Sequence, residues 1–245
     1  MLCADIGDYP IRQITARDIL VPLKKMEAKG RNESALRMRS AAGQVFRYAI
    51  AIGLADNDPT FGLKDALARA PVKHRSALID PADVGAMMRA IEGFDGQPAT
   101  RLALQLLAMT ALRPGELRMA EWSEIDMNKA IWIIPADRAK MRRPHMVPLA
   151  PLALSKLREL QELTGWGTYL FPSIRSSKRC MSENTLNAAL RRMGYSGDEM
   201  TAHGFRATFS TLANESGLWN ADAIERARAH VESNEIRRAY ARGAH

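Results

Sequence analysis

The chain has 245 residues, 47% of them hydrophobic, which suffices for one large domain or two modest ones, each with its own core. Its 35 Lys+Arg against 27 Asp+Glu leave a formal charge of +8, an arginine-weighted excess that makes nucleic acid the leading partner. The two cysteines, Cys3 and Cys180, exclude a disulfide framework and a cysteine-rich zinc site and fit a reducing cytoplasm. The longest apolar run, Leu102 to Leu112, falls short of the roughly 20 residues of a membrane span, and MLCADIGDYP lacks the pattern of a secretory signal.

Thr15-Ala16-Arg17-Asp18 reads as a helix cap with an acidic third position, opening a helix that runs to about Lys29 and stops at Gly30. A second helix follows from about Asn32 to Ile52. There Met38, Ala42, Val45, Phe46, Ala49 and Ile50 recur at helical spacing, and Arg31, Arg37, Arg39 and Arg47 decorate other positions. Gly53 ends it, and DNDPTFG is turn chemistry. ARAPVKHRSAL, from Ala68 to Leu78, carries Pro71 and basic residues without apolar periodicity; it reads as a basic linker, assigned to 71–79, between a unit 1–70 and a unit 80–245.

Asp80-Pro81 is an N-cap with proline at the first helical position, starting a helix to about Ile91. Another helix spans about Pro98 to Ala111, and Pro114 opens a short one. Ala130–Pro135 and His145–Leu149 are β-type runs joined by the basic loop Ala136 to Pro144. Helices return at about Pro151–Thr164, Ser182–Met193, Ala202–Glu215, Ala221–Ala229 and Glu232–Arg242. The fold class is mainly α with a small antiparallel β-sheet.

Several residues are candidates for chemistry, and each also has a plain structural reading. Arg113 in TALRPGEL sits on a rigid turn suited to phosphate recognition, with Glu116 to hold its guanidinium, or the two form an ordinary helix-corner pair. Lys140, Arg142, Arg143 and His145 belong to the hairpin region, where a lysine can reach a groove but a solvated charge run looks the same. His203 and Arg206 share a helix face at i and i+3, as a surface pair would. His230 and Tyr240 lie on a basic terminal helix, where tyrosine commonly serves as a packing anchor. GxxxxGK[ST], GxGxxG after a strand, HExxH and GxSxG do not occur, nor an obvious acidic cluster for two Mg²⁺, so neither cofactor nor metal is expected.

The order of these motifs is more specific than any one of them. ALRPGEL, AEWSEID, a hairpin lysine ahead of HMVPL, MSENTLNAALRRMGY, HGFR, ATFSTLANESG, and a histidine ten residues before a tyrosine resemble the tyrosine recombinase family, specifically the phage and genomic-island integrases, from about Tyr9 to Arg242. The resemblance implies an all-helical core-binding domain followed by a tyrosine recombinase catalytic domain. It implies a tyrosine-type DNA strand transferase with Arg113 and Arg206 as catalytic arginines, Lys140 as the hairpin lysine, His203 and His230 as the histidines and Tyr240 as the nucleophile. Arg31, Arg37, Arg39, Arg47, Lys73, Arg75, Arg142 and Arg143 become candidate contacts to double-stranded DNA at attachment sites. A homo-tetramer on DNA, monomeric or weakly associated when free, follows from the same resemblance, with cytoplasmic location and no membrane.

Members of that family continue further at both ends, so the chain reads as N-terminally incomplete and C-terminally short. Two other readings therefore stand beside the recombinase: a catalytically inactive DNA-binding remnant and a type IB topoisomerase-like nicking and rejoining enzyme. A helical scaffold for an acidic protein partner is the reading outside nucleic-acid chemistry.

Overall fold

The computed structural model describes residues 5–68, 76–139 and 142–229, and the chain divides into two units, residues 1–73 and 74–245. In the first, α1 (Ala16–Glu27) and α2 (Asn32–Ala51) pack against each other. The reciprocal cap at Thr15 is formed: Thr15 N–H donates to Asp18 Oδ2 at 2.9 Å and Asp18 N–H to Thr15 Oγ1 at 3.4 Å, pairing donors that a helix start leaves open. Ile19 and Leu23 are fully buried against Ala35, Phe46 and Ala49. Gly30 and Gly53 adopt left-handed φ values of 71° and 76° where the two helices end, as expected of a residue without Cβ.

In the second unit, α3 (Pro81–Glu92), α4 (Pro98–Thr110) and the short α5 (Pro114–Arg118) come first. Asp80 caps α3 by accepting from Ala82 N at 2.8 Å and Asp83 N at 3.4 Å. Helix α4 is the hub. Leu102, Ala103, Leu104, Leu106 and Leu107 are fully enclosed, which is why its sequence is apolar all round rather than on one stripe. Around it pack α3, α6 (Pro151–Thr164), α7 (Thr185–Arg192) and α8 (Gly204–Glu215); α9 (Ala221–Ala227) lies against α8.

The sheet expected from the two β-type runs is present. Strand β2 (Ile131–Ile134) pairs antiparallel with β3 (His145–Pro148), Ile134 facing His145, and a two-residue β1 (Ile125–Asp126) adds to its other edge. A second small sheet joins β4 (Pro172–Ser173) to β5 (Ser176–Cys180). The sequence reading assigns neither β1 nor this second sheet. Two residues show no alternation, and SSKRC has no apolar face, so the pairings rest on tertiary contacts rather than patterning. The terminal helix expected over Glu232–Arg242 lies outside the described residues.

The start of α8 is set by a close approach of main chain. Thr201 Oγ1 donates to Ser76 O at 3.4 Å and Thr208 Oγ1 to Leu78 O at 2.6 Å, so residues 76–78 run along the first turns of the helix. A Cβ on Gly204 would collide with the Ser76 carbonyl oxygen and come within 2.9 Å of Met200 Sδ and 3.2 Å of Ala77 Cα. Gly204→Ala is therefore expected to destabilise this unit by about 1–3 kcal/mol. Urea unfolding followed by tryptophan fluorescence measures it, because all four tryptophans lie within 74–245. The midpoint should fall with the slope unchanged.

Candidate active site

The site begins where α4 ends. Ala111 is fully buried and left-handed, with φ 49° and ψ 25°, a conformation that costs a residue with a Cβ about 1–2 kcal/mol. It turns the chain so that Arg113 becomes the extended N-cap of α5, with Pro114 at the first helical position. Glu116, 4% exposed, accepts from the Arg113 N–H at 3.1 Å and from Arg113 Nη1 at 2.8 Å. One carboxylate thus fixes both the main chain and the side chain of the arginine.

Arg206 comes from the first turn of α8 and is 7% exposed. Its Nη1 donates to Ala111 O and its Nη2 to Arg228 O, each at 2.5 Å. Those carbonyls close the C-terminal ends of α4 and α9, where unpaired oxygens and the helix dipole both favour a cation. Burial pushes the Arg206 pKa down to about 10; Arg113 and Arg228 push the same way, with Glu116 and Glu225 opposing. At neutral pH the guanidinium stays charged, and the site holds cations in excess.

His145 completes the group from the sheet side. It opens β3 and shares the inward face with buried Val147. The ring hydrogen-bonds the main chain of Ala227, while Nε2 is buried with no partner among the described residues. Burial lowers its pKa below the usual 6.5; Glu116 and the Ala227 contact raise it in part, and Arg113 and Arg206 lower it further.

Arg138 anchors the approach to the basic loop. It donates to Glu124 Oε2 at 2.5 Å and to Glu116 O at 3.3 Å, and Trp132 Nε1 reaches the same Glu124 oxygen at 3.1 Å. Burial nevertheless outweighs both partners and raises the Glu124 carboxyl.

Of the residues singled out from sequence, Arg113 and Arg206 meet at this site. His203 is the N-cap residue of α8, partly buried, its carbonyl accepting from Arg206 N at 3.2 Å. Lys140, His230 and Tyr240 lie outside the described residues, as do Lys73 and Arg75. Arg142 and Arg143 are exposed on the loop before β3, Arg142 with a φ of 51°. In the first unit Arg31 is exposed and Arg37 pairs with Glu33 on the surface, whereas Arg39 donates to Thr60 O at 3.4 Å and Arg47 to Asp58 at 3.0 Å. Among the described residues no helix is long and apolar enough to cross a membrane, and no group of three or more His, Cys, Asp or Glu side chains could hold a metal ion.

In the sequence His145 belongs to an ambiguous charge run, and nothing local marks Arg138 or Arg228. The alternation His145-Met146-Val147 is the one local signal that could have turned the histidine inward. Arg138 and Arg228 act through contacts 22 residues away in sequence, which no local pattern encodes.

A half-buried and a buried arginine thus stand at two helix starts, on a helical domain with a small hairpin sheet. Residues 78–245 match the phage integrase family and residues 1–66 the phage integrase central domain. The chain therefore belongs to the phage integrase family. It is 37% identical over 252 aligned positions to the IntB protein of Escherichia coli K12, covering 98% of this chain and 63% of that protein. It is 36% identical over 248 positions to the integrase of Enterobacteria phage P4, covering 96% of this chain and 56% of that one. The chain thus spans about three-fifths of the length of these relatives. Its fold matches a crystal structure of lambda integrase residues 75–356, a dimer bound to a core site, with TM-score 0.72 and 23% identity, covering 99% of this chain and 85% of that one.

The His145 environment sets a pH dependence whose sign follows from its lowered pKa. The unfolded chain takes up a proton near 6.5 that the folded site resists, so stability is fullest above that pH and declines as pH falls below it. The decline is at most about 1.4 kcal/mol per pH unit. Denaturant unfolding at about pH 8 and about pH 5.5 should show a smaller difference between the two in His145→Gln than in the parent protein.

Proposed function

We propose that this chain is a site-specific DNA recombinase that cuts and rejoins duplex DNA through a 3′-phosphotyrosyl intermediate. The observation that carries the reading is a half-buried Arg113 and a buried Arg206 close enough to act on each other electrostatically, with Glu116 as the carboxylate that holds the first. A phosphodiester brings the missing negative charge, and the charge grows in the pentavalent transition state, so fixed cations there lower the barrier.

In this reading the Tyr240 oxygen attacks the phosphorus, a P–O bond to tyrosine forms and the P–O5′ bond breaks. Lys140 gives the leaving 5′-oxygen its proton, His203 accepts the tyrosyl proton and His230 orients the phosphate. The phosphotyrosyl ester conserves the bond energy, so a 5′-hydroxyl can attack it in reverse without nucleotide hydrolysis. Residues 1–70 act as the core-binding domain. Arg31 and Arg37 are its accessible phosphate contacts, and Arg37 loses little by leaving Glu33, because an exposed pair contributes at most about 1 kcal/mol. The working assembly is a tetramer on paired attachment sites, in keeping with a prophage-type integrase that acts in the cytoplasm.

The test is covalent trapping on nicked duplexes carrying candidate attachment sites, without Mg²⁺, read by denaturing electrophoresis. A protein–DNA adduct is expected with the parent chain and none with Tyr240→Phe, while DNA affinity changes less than about twofold. Arg113→Ala and Arg206→Ala should each slow adduct formation by about 10²–10³. Specific binding with no adduct would leave a DNA-binding remnant, and relaxation of supercoiled plasmid without sequence preference would favour a topoisomerase-like enzyme.

A further inference from the structure

His145 plays no part in the reaction scheme above, yet it lies inside the site. Glu116 and Arg113 of the α5 turn and Arg206 of α8 lie close enough to act on its ring electrostatically, and the ring hydrogen-bonds the Ala227 main chain of α9. The loop before it contributes Arg142 and Arg143, both exposed, and its pairing partner on β2 is the apolar Ile134. Nε2 is enclosed without a partner among the described residues, which leaves Nδ1 for the contact to Ala227. An enclosed ring nitrogen beside two guanidinium groups is costly unless a ligand supplies its hydrogen bond.

The ligand that fits is an oxyanion. We infer that His145 is a third anion-binding group of this site: when a phosphoryl group lies against Arg113 and Arg206, the imidazole takes up a proton from solvent at Nε2 and donates it as a hydrogen bond to a phosphoryl oxygen. Phosphate binding and proton uptake are then linked. The inference rests on the proposed role of Arg113 and Arg206 as the phosphate clamp.

The physical basis is a change in the sign of the local field. Without an anion, burial and the two arginines hold the ring neutral, with Glu116 opposing them only in part. An oxyanion offsets both arginines and adds an attraction of its own. Two negative charges at hydrogen-bonding range should raise the His145 titration midpoint by about one unit or more, even with the screening of a partly open site. The proton taken up makes His145 a donor that strengthens as the phosphate gains charge, so the residue contributes most below about pH 7.

Sulfate is the probe, because it carries two charges and does not titrate in this range. The chain has five histidines, so ring carbon–proton signals from histidine-labelled protein are resolvable, with His145 assigned by its absence in His145→Gln. The expected result is a His145 midpoint higher by about one unit in sodium sulfate than in sodium chloride at equal ionic strength. Sulfate affinity of the parent protein should also rise about tenfold more than that of His145→Gln between about pH 8 and about pH 5.5. A purely structural histidine would lower affinity equally at both pH values and leave that slope unchanged, which would overturn the inference. Sulfate that shifts the Arg113 and Arg206 signals while leaving the His145 midpoint in place would overturn it alone. Sulfate that leaves both arginines unmoved would overturn it together with the clamp on which it rests.

Discussion

The second unit is organised around the two hydrogen bonds of Arg206 to the carbonyls of Ala111 and Arg228. A guanidinium can be buried only where oxygens replace its water, and here the oxygens belong to the C-terminal ends of two helices. The same contacts fall where α4 stops, at the buried, left-handed Ala111, and where α9 ends, at Arg228. The position of α8 follows, because Arg206 is in its first turn and Gly204 lets residues 76–78 run against it. Local strain at Ala111 is thus offset by a charge-assisted hydrogen bond made by a residue 95 positions later.

Placing Arg113 beside this group makes the free site electrostatically incomplete. Burial, Arg113 and Arg228 depress the proton affinity of Arg206, with Glu116 and Glu225 opposing them, so the site holds positive charge in excess of its carboxylates. Glu116 balances part of the charge and spends its two oxygens on Arg113, as main-chain and side-chain acceptor. A carboxylate so occupied orients an arginine without neutralising the whole site. That division, with one acid for orientation and positive charge left over, is what the proposed preorganised binding of a phosphodiester would require.

The basic residues of the first unit sort by what they touch. Arg39, half-buried, and Arg47, exposed, both tie the 58–60 turn to α2, where a Cβ on Gly43 would come within 2.6 Å of Thr60 Oγ1. Arg31 and Arg37 are exposed and cost little to redirect. A positive charge count therefore overstates the number of cations available to a polyanion, since an arginine already engaged in an internal contact contributes less than an unengaged one.

Much of the helical framework was legible in the sequence. The Thr15-to-Asp18 cap, Asp80-Pro81, the Pro98 and Pro151 starts and the 131–134 and 145–148 strands are encoded by neighbours within a few residues, where capping geometry and apolar period act directly. Arg113 and Arg206 were legible as residue types at meaningful spacing, and family resemblance joined them. Their meeting was decided by tertiary structure, as were the inward turn of His145, the tie from Arg138 to Glu116, the carbonyl of Arg228 and the strands β1, β4 and β5. The physical reason is range. Caps and amphipathic periods are read within one or two turns of chain, whereas the burial that shifts a pKa and the carbonyl that accepts from a guanidinium exist only after segments distant in sequence have packed together.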